Sequence, residues 1–413
     1  MTSARDVLRQ RPVRQYLWST AAASVGHNLL VAVLFKQVFD LTGDELDIGI
    51  IGLAQFAPAV LLVLVSGWVA DRFDRRRASA LFLLGRGLCG VAFALYAART
   101  PSVVWPLFAI ALVLGASDAM LSPARRAIPP LIVSQRDFPH VIALWTATFT
   151  GSSIVGPVLG GFLYAFDVAT AYWVAATLEI VSIVPLLRLV YVRTPERVTD
   201  RPTLGTALQG LRFVARTPVV LAAISLDLFA VLFGGAIALI PAVASERLGV
   251  GDIAYGWLRA APGIGAAVMA LALAVRPVRR RVGPTLLVVV AVFGAGTVVF
   301  GTTRSYVVAF VALVVISAAD MISMYIRGSI VPLVTPDDQL GRVSAVEGVF
   351  IGASNELGAF ESGVTARLFG LPWAIAGGGA ITMLIAGSFA FLFPSLRRID
   401  TFEELEPVSP ATG

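Results

Sequence analysis

The pattern that decides the fold is clearest in residues 48–77, which read IGIIGLAQFAPAVLLVLVSGWVADRFDRRR. Residues 48–70 carry no charge, whereas arginine dominates residues 71–77. A helix needs about 20 mostly apolar residues to cross the roughly 30 Å hydrocarbon core of a bilayer. The stretch therefore predicts a membrane-spanning helix that ends in a basic loop.

The same pattern recurs along the whole chain, which is 57% hydrophobic and 14% charged, with a mean hydropathy of +0.83. Residues 103–119 and 286–300 are apolar on every side, which excludes the alternating strands of a membrane barrel. We therefore predict an all-α integral membrane protein with twelve transmembrane helices. The spans are expected near residues 15–37, 48–70, 78–98, 103–126, 139–164, 168–191, 217–243, 253–276, 284–303, 305–333, 343–369 and 372–394.

The arginines of the predicted loops lie mostly on one side of the membrane. By the positive-inside rule that side is cytoplasmic, so both termini are expected in the cytoplasm. Topology also explains the net charge of +6, and we predict no nucleic-acid partner. The long first apolar run is expected to be retained as a helix instead of being cleaved as a signal peptide. An arginine-dominated, alanine-rich chain suggests a bacterial inner membrane.

An internal repeat divides the chain into two related halves. At an offset of 202 residues, Asp118 falls on Asp320 and Arg125 on Arg327, with five further identities in the same region. Six-helix repeats that each start on the same side are parallel repeats, which predicts two bundles around a central cavity. The expected segments are a cytoplasmic start (1–14), an amino-terminal bundle (15–191), a cytoplasmic linker (192–216), a carboxyl-terminal bundle (217–394) and a cytoplasmic tail (395–413).

The basic loop carries a recognisable motif. Residues 67–77 resemble the signature Gly-x-x-x-Asp-Arg-x-Gly-Arg-Arg of the major facilitator superfamily, with Asp74 in place of its second glycine. The resemblance implies a transporter with the major facilitator fold. We expect the loop arginines and the recurring acids to form a conformational latch. Its predicted members are Gly67, Asp71, Arg72, Arg75, Arg76, Arg77, Asp118, Asp320, Arg279 and Arg281.

The fifth predicted helix contains small residues that look like the glycine-proline motif of exporters in this superfamily. Any tightly packed membrane helix also needs such residues. The members of this helix-packing motif are Gly151, Gly156, Pro157, Gly160 and Gly161. Most of the chain is similar to the branch that includes the enterobactin exporter and macrolide efflux proteins, and residues 340–342 and 354–358 carry this similarity in the second half. The resemblance implies export of a drug, antibiotic or siderophore.

Polar and charged residues inside the spans are candidates for the substrate and proton pathway, because a charge at mid-membrane is costly. Glu356 and Asn355 stand where the repeat breaks, opposite Ile154 and Ser153 of the first half. Glu356 could alternate between proton and substrate, or it could be permanently paired with an arginine. The candidates are Glu356, Asn355, Asp227, Glu361, Arg86, Arg259 and His27.

Other function classes find less support in the sequence. No phosphate loop and no Gly-x-Ser-x-Gly elbow is present, so we predict neither an ATP-driven pump nor an enzyme. With Cys89 as the only cysteine, no cofactor or metal site is expected. The predicted partners are a small-molecule substrate, protons as coupling ion and the lipid bilayer, and the predicted state is a monomer. Nutrient uptake by the same fold and a non-transporting membrane sensor remain the alternatives.

Overall fold

The computed structural model describes residues 4–192 and 204–407, without the side chains of residues 4, 63–65, 67–71, 204–208 and 337–338. We number the twelve longest helices of these two ranges α1 to α12. Their bounds are α1 Arg11–Thr42, α2 Glu45–Arg72, α3 Arg75–Ala97, α4 Trp105–Arg126, α5 Phe138–Phe166, α6 Val168–Val181, α7 Pro218–Gly234, α8 Asp252–Val275, α9 Val282–Thr302, α10 Tyr306–Val334, α11 Asp337–Phe369 and α12 Leu371–Leu392. Each predicted span falls on one of them.

Eleven segments within the described residues are long and apolar enough to cross a membrane, and each numbered helix except α11 contains such a segment or lies within one. α6 continues through Ile183–Leu187, and α7 continues through short helical turns to Val243–Arg247. α11 differs because charged residues recur along its 33 residues, among them Glu347, Glu356 and Glu361. A bilayer requires every backbone polar group to be bonded within the protein, which accounts for the helical architecture.

Short connections with specific caps join the helices. Gly43 ends α1 in the left-handed conformation (φ 61°), where a residue without a Cβ is favoured. Asp167 caps the start of α6 by accepting a hydrogen bond of 2.7 Å from the Thr170 backbone N–H. The side-chain and backbone hydrogen bonds from Thr170 hold the pKa of the Asp167 carboxyl below its ordinary value.

Contacts divide the chain into two compact units. The first consists of Met1–Gly43, Leu53–Pro202 and Val250–Ala260, and the second of Asp44–Gly52, Thr203–Gly249 and Ala261–Gly413. In the first unit α1 packs against α5 and α6, and α3 packs against α4 and α6. In the second unit α7 packs against α11 and α12, and α9 packs against α10 and α12. The internal repeat is therefore also a repeat of helix pairing.

Small residues set the same close approach in both units. A Cβ added to Gly90 of α3 would lie 3.0 Å from the Cβ of Ala176 in α6. At an offset of 204, a Cβ on Gly294 of α9 would lie 2.6 Å from the carbonyl oxygen of Gly379 in α12. Van der Waals packing between small residues drives helix association in lipid, so these pairs hold equivalent helices together.

Candidate functional site

The first unit contains a buried cluster of charges. The Arg86 guanidinium of α3 lies 3.0 Å from an Asp118 carboxylate oxygen of α4 and also forms an ion pair with Glu179 of α6. It donates a further bond of 3.3 Å to the carbonyl oxygen of Ala23 in α1. Glu179 is completely buried and Arg86 is 6% exposed. Four helices therefore meet at the guanidinium of Arg86, which is one of the predicted pathway residues.

His27 of α1 lies beside this cluster. Its Nδ1 is 3.8 Å from an Asp118 oxygen, and this nitrogen is buried without a hydrogen-bond partner. The two groups are close enough to interact electrostatically if the imidazole is protonated, but they do not form a hydrogen bond. The structure thus brings His27, Arg86 and Asp118 together, although the sequence assigned Asp118 to the latch. The transport role of His27 stays a prediction.

The second unit contains a different pair. An Asp227 oxygen of α7 lies 2.6 Å from an Arg327 nitrogen of α10, and Arg327 Nε donates to the Ser323 hydroxyl at 3.2 Å. Asp227 is 6% exposed and Arg327 is 5% exposed. Asp320 lines a small cavity together with Asp227 and Ser323. Two predicted residues with different assigned roles, Asp227 and Asp320, are therefore neighbours.

α11 carries the remaining acidic candidates. A Cβ added to Gly52 would lie 3.3 Å from the Glu356 carboxylate, which places Glu356 against the amino-terminal part of α2. Asn355 is exposed and donates its side-chain N–H to the carbonyl oxygen of Ile351 at 2.8 Å. Glu361 is partly buried. The roles of these residues in binding a proton or substrate stay predictions.

The basic loop between α2 and α3 is built around Asp74. Its carboxylate caps α3 by accepting bonds from the backbone N–H groups of Arg76 and Arg77, and it pairs with the Arg76 side chain at 2.9 Å. Partial burial acts to raise the pKa of Asp74, but the bonds from Arg76 and Arg77 outweigh it and hold the pKa below its ordinary value. Asp74 thus replaces the glycine of the family signature with a helix cap.

The structure shows contacts for only some of the predicted latch residues. Arg75 donates to the carbonyl oxygen of Ala127 at 3.2 Å, so the loop contacts the connection after α4. The ion pair of Asp118 is with Arg86. The side chains of Gly67 and Asp71 lie outside those the structure describes. The latch role of these residues stays a prediction.

The corresponding loop of the second unit takes its acid from the carboxyl-terminal segment. The Asp400 carboxylate accepts a bond of 3.0 Å from the Arg281 backbone N–H and pairs with Arg280 at 3.3 Å. These bonds hold the pKa of Asp400 below its ordinary value. Arg281 itself adopts the left-handed backbone conformation (φ 54°), and Arg279 is exposed. The repeat therefore preserves an acid beside each basic loop but supplies it from a different segment.

The glycine motif of α5 marks close contacts. A Cβ on Gly161 would lie 2.6 Å from the Cα of Gly256 in α8, within the first unit. Its repeat counterpart Gly363 would place a Cβ 3.2 Å from the Cα of Gly49, within the second unit. The same kind of backbone approach therefore occurs once in each unit, at glycines that the sequence marked only in the first half.

The other motif residues contact α1 and α8. A Cβ on Gly156 would lie 2.9 Å from the backbone nitrogen of Leu29, and one on Gly160 would lie 3.4 Å from the Leu29 carbonyl oxygen. The carbonyl oxygen of Pro157 faces Gly256. A Cβ on Gly151 would meet nothing within 4 Å, so this glycine is not needed for close packing.

Sequence reasoning missed a second charged cluster in the first unit. Lys36 of α1 lies 2.5 Å from Asp40 and 3.3 Å from Asp252, and the Tyr164 hydroxyl donates to Asp40 at 2.6 Å. The signal was available, because Lys36 is the only lysine among 32 lysine and arginine residues. Arg259, a predicted pathway residue, lies over the ring of a neighbouring phenylalanine at 5.2 Å, which is a cation–π geometry.

Comparisons with known proteins bear on the family. Residues 17–359 match the sequence profile of the Major Facilitator Superfamily. The enterobactin exporter EntS of Escherichia coli O6:K15:H31 is 27% identical over 365 residues, covering 85% of this chain and 83% of that protein. The enterobactin exporter EntS of Shigella boydii serotype 18 is 27% identical over 343 residues, covering 80% and 79%.

Solved structures share the fold. A POT family transporter crystallised with 5-aminolevulinic acid superimposes with a TM-score of 0.76 at 11% identity, covering 94% of this chain and 97% of that chain. A bacterial homologue of the human lysosomal transporter Spinster superimposes with a TM-score of 0.70 at 15% identity, covering all of both chains. At these identities the similarity concerns the fold alone.

Proposed function

Because the chain belongs to the major facilitator superfamily and is one of its transporters, we propose that it exports small amphipathic molecules in exchange for protons. Drugs, antibiotics and siderophores are the proposed substrate classes, and alternating access is the proposed mechanism. The observation that carries the direction of transport is the similarity to enterobactin exporters, which extends over 85% of the chain. The chain is therefore a transporter and not an enzyme.

The charge balance of the second unit supports proton coupling. Asp227 is neutralised by Arg327, whereas Asp320 lines the adjacent small cavity and makes no ion pair among the described residues. At the repeat position of Arg86, which pairs with Asp118 in the first unit, the second unit has Val290. A charge inside a membrane is costly unless it is paired. A proton bound to Asp320 would remove that charge, so Asp320 joins Glu356 as a proposed proton carrier.

The proposed location is the inner membrane of a bacterium, with both termini in the cytoplasm. The basic loop with Arg75, Arg76 and Arg77, its counterpart with Arg280 and Arg281, and the arginines before α1 would then share the cytoplasmic face. Such clustering is the pattern that the positive-inside rule describes. The proposed oligomeric state is a monomer.

Inverted membrane vesicles with an acidic interior and a pH-sensitive dye inside would test this function. The panel of compounds would contain siderophores, macrolides and cationic dyes. We expect a substrate to trigger proton release from the vesicles containing the wild-type protein. Asp320→Asn and Glu356→Gln separate the two proposed carriers, and Glu403→Gln, an exposed acid of the carboxyl-terminal segment, is the matched control.

Loss of proton release in one variant, with normal protein levels and a normal elution profile, would identify the coupling acid. Proton release that survives in both variants would refute both assignments while leaving export intact. Accumulation of a compound in right-side-out vesicles, with no response in inverted ones, would favour nutrient uptake instead. Correctly inserted protein that moves none of the compounds in either orientation would contradict the proposal and favour a non-transporting sensor.

A further inference from the structure

The first helices of the two units, α1 and α7, can be compared residue by residue because their buried positions match. At an offset of 207, six buried residues of α1 fall on six buried residues of α7. They are Val13, Tyr16, Leu17, Ser19, Thr20 and Ala23 in α1, and Val220, Ala223, Ile224, Leu226, Asp227 and Ala230 in α7. The Ala23 carbonyl oxygen accepts a bond from Arg86, and the Ala230 carbonyl oxygen accepts one from Thr382. Both carbonyl oxygens accept a side-chain bond, from α3 in the first unit and from α12 in the second, and the alignment itself rests on the matching burial of α1 and α7.

This alignment shows that the partly buried Arg125 has no acid at the position where Arg327 has one. Arg125 corresponds to Arg327 at the offset of 202, and Thr20 corresponds to Asp227 at the offset of 207. Arg327 is bound by Asp227 at 2.6 Å. The Thr20 hydroxyl instead donates to the carbonyl oxygen of Tyr16 at 2.9 Å. The Nε and one Nη atom of Arg125 are buried and have no hydrogen-bond partner.

A buried guanidinium without an acceptor is unfavourable, so the surroundings of Arg125 need an explanation. Arg125 and Thr20 line a cavity of ≈ 220 Å³ within the first unit. Arg86 and Arg126 also line it, and Asp118, which Arg86 neutralises, is the acid in the lining. The lining therefore has an excess of positive charge, and Arg125, whose side chain is partly exposed, contributes to it at the wall of the cavity.

α5 supplies the aromatic part of the cavity lining. Trp145 and Phe149 line the same cavity, and their rings stack with centroids 5.9 Å apart. Residues four apart on a helix lie on the same face, so the two rings form one aromatic surface beside the guanidinium. The volume is below the roughly 300 Å³ at which pockets for drug-sized ligands begin. It suits one ring with its substituent and not a whole drug-sized molecule.

We propose that this cavity, between α1, α4 and α5, is a binding subsite for an aromatic group that carries an anionic oxygen, such as an aryl carboxylate. The anionic oxygens accept hydrogen bonds from Arg125, and the ring packs on Trp145 and Phe149. A hydrogen bond between a guanidinium and an anionic oxygen is charge-assisted and roughly twice as strong as one between neutral groups. The inference rests on the proposed transport function, since it names the substrate feature that the first unit recognises.

Binding of radiolabelled benzoate to the purified full-length protein, measured by equilibrium dialysis, tests the subsite directly. Cyclohexanecarboxylate has the charge without the aromatic ring, toluene has the ring without the charge, and inorganic phosphate represents a lipid headgroup. Arg125→Gln removes the charge. Thr20→Asp restores the acid that Arg327 has in the second unit and should occupy Arg125 internally. Arg188→Gln, which changes an exposed arginine outside the cavity, is the control.

We expect both Arg125→Gln and Thr20→Asp to weaken benzoate binding by about tenfold or more, since hydrogen bonds to charged groups contribute about 1.5–3 kcal/mol. Arg188→Gln should leave it unchanged. Neither cavity variant should lower the melting temperature, because Arg125→Gln removes the unpaired charge and Thr20→Asp supplies it with a partner. Cyclohexanecarboxylate and phosphate should compete less well than benzoate.

Benzoate affinity that survives Thr20→Asp and Arg125→Gln would overturn the subsite, even if vesicles still show proton-coupled export. Phosphate that competes as well as benzoate would also overturn it and would indicate a lipid headgroup site. Conversely, benzoate binding that is lost in both variants, in a protein that moves no compound across vesicles, would retain the subsite and refute the proposed transport function. The two proposals therefore fail separately.

Discussion

Replacing Arg86 by valine, the residue at the equivalent position 290 of the second unit, should strongly destabilise the protein. Glu179 is completely buried, and its ion pair is with Arg86. Removing one partner of a buried ion pair costs about 3–5 kcal/mol, because the other charge is left uncompensated. Glu179→Thr should cost less, about 1–3 kcal/mol, because Arg86 keeps Asp118 at 3.0 Å.

The double variant distinguishes a charge pair from two independent packing contacts. Without Glu179 no completely buried carboxylate remains to be compensated, so Arg86→Val with Glu179→Thr should be at least about 1 kcal/mol more stable than Arg86→Val alone. The apparent free energies of unfolding of all four proteins in detergent micelles would complete the cycle. Strictly additive losses would refute the argument, since they would mean that Arg86 and Glu179 stabilise the bundle independently.

Three further changes test other contacts by their effect on thermal unfolding in detergent. Asp74→Ala should cost about 1 kcal/mol relative to the wild type at neutral pH, and Asp74→Gly a few tenths. Because the folded-state pKa of Asp74 is depressed, the loss in Asp74→Ala relative to the wild type should be present above about pH 4 and should shrink as the pH falls below it. A loss that does not change with pH would contradict the cap. Lys36→Met should cost about 3 kcal/mol while Lys36→Arg costs less, and equal losses would exclude a role of the charge. Gly161→Val should cost about 1–3 kcal/mol by forcing α5 away from Gly256, whereas Gly151→Val should be neutral, and equal effects would refute the close contact.

The fold could be predicted from the sequence because each membrane-spanning helix can be recognised from its own hydropathy. An apolar run such as residues 284–303 needs no partner to be recognised, and α9 (Val282–Thr302) matches it within two residues at each end. Even α11 (Asp337–Phe369) was predicted near residues 343–369, although its recurring charges keep it outside the set of strongly apolar segments. Local composition and periodicity therefore carry most of the architecture.

The partners of the buried charges could not be predicted in the same way. Arg86 and Glu179 are 93 residues apart in sequence and meet because α3 packs against α6. A sequence shows that each charge is costly inside the membrane, but which charges meet depends on the rotation of each helix about its axis. For this reason Asp118 was assigned to a loop latch, whereas the structure places it on Arg86.

The repeat itself shows why identity at equivalent positions is weak evidence for a shared role. Asp118 and Asp320 are equivalent, as are Arg125 and Arg327, yet the first unit pairs its acid through Arg86 and the second pairs its arginine through Asp227. The two units differ in the residues that supply the counter-charges. The first unit has Thr20 at the position of Asp227, and the second unit has Val290 at the position of Arg86. The first unit is left with an arginine that can accept an anion, and the second with an acid that can accept a proton. Under the two proposals, the halves of one repeat bind opposite charges because the residues that neutralise the equivalent groups differ, and the search for function in such repeats should begin where the counter-charges differ.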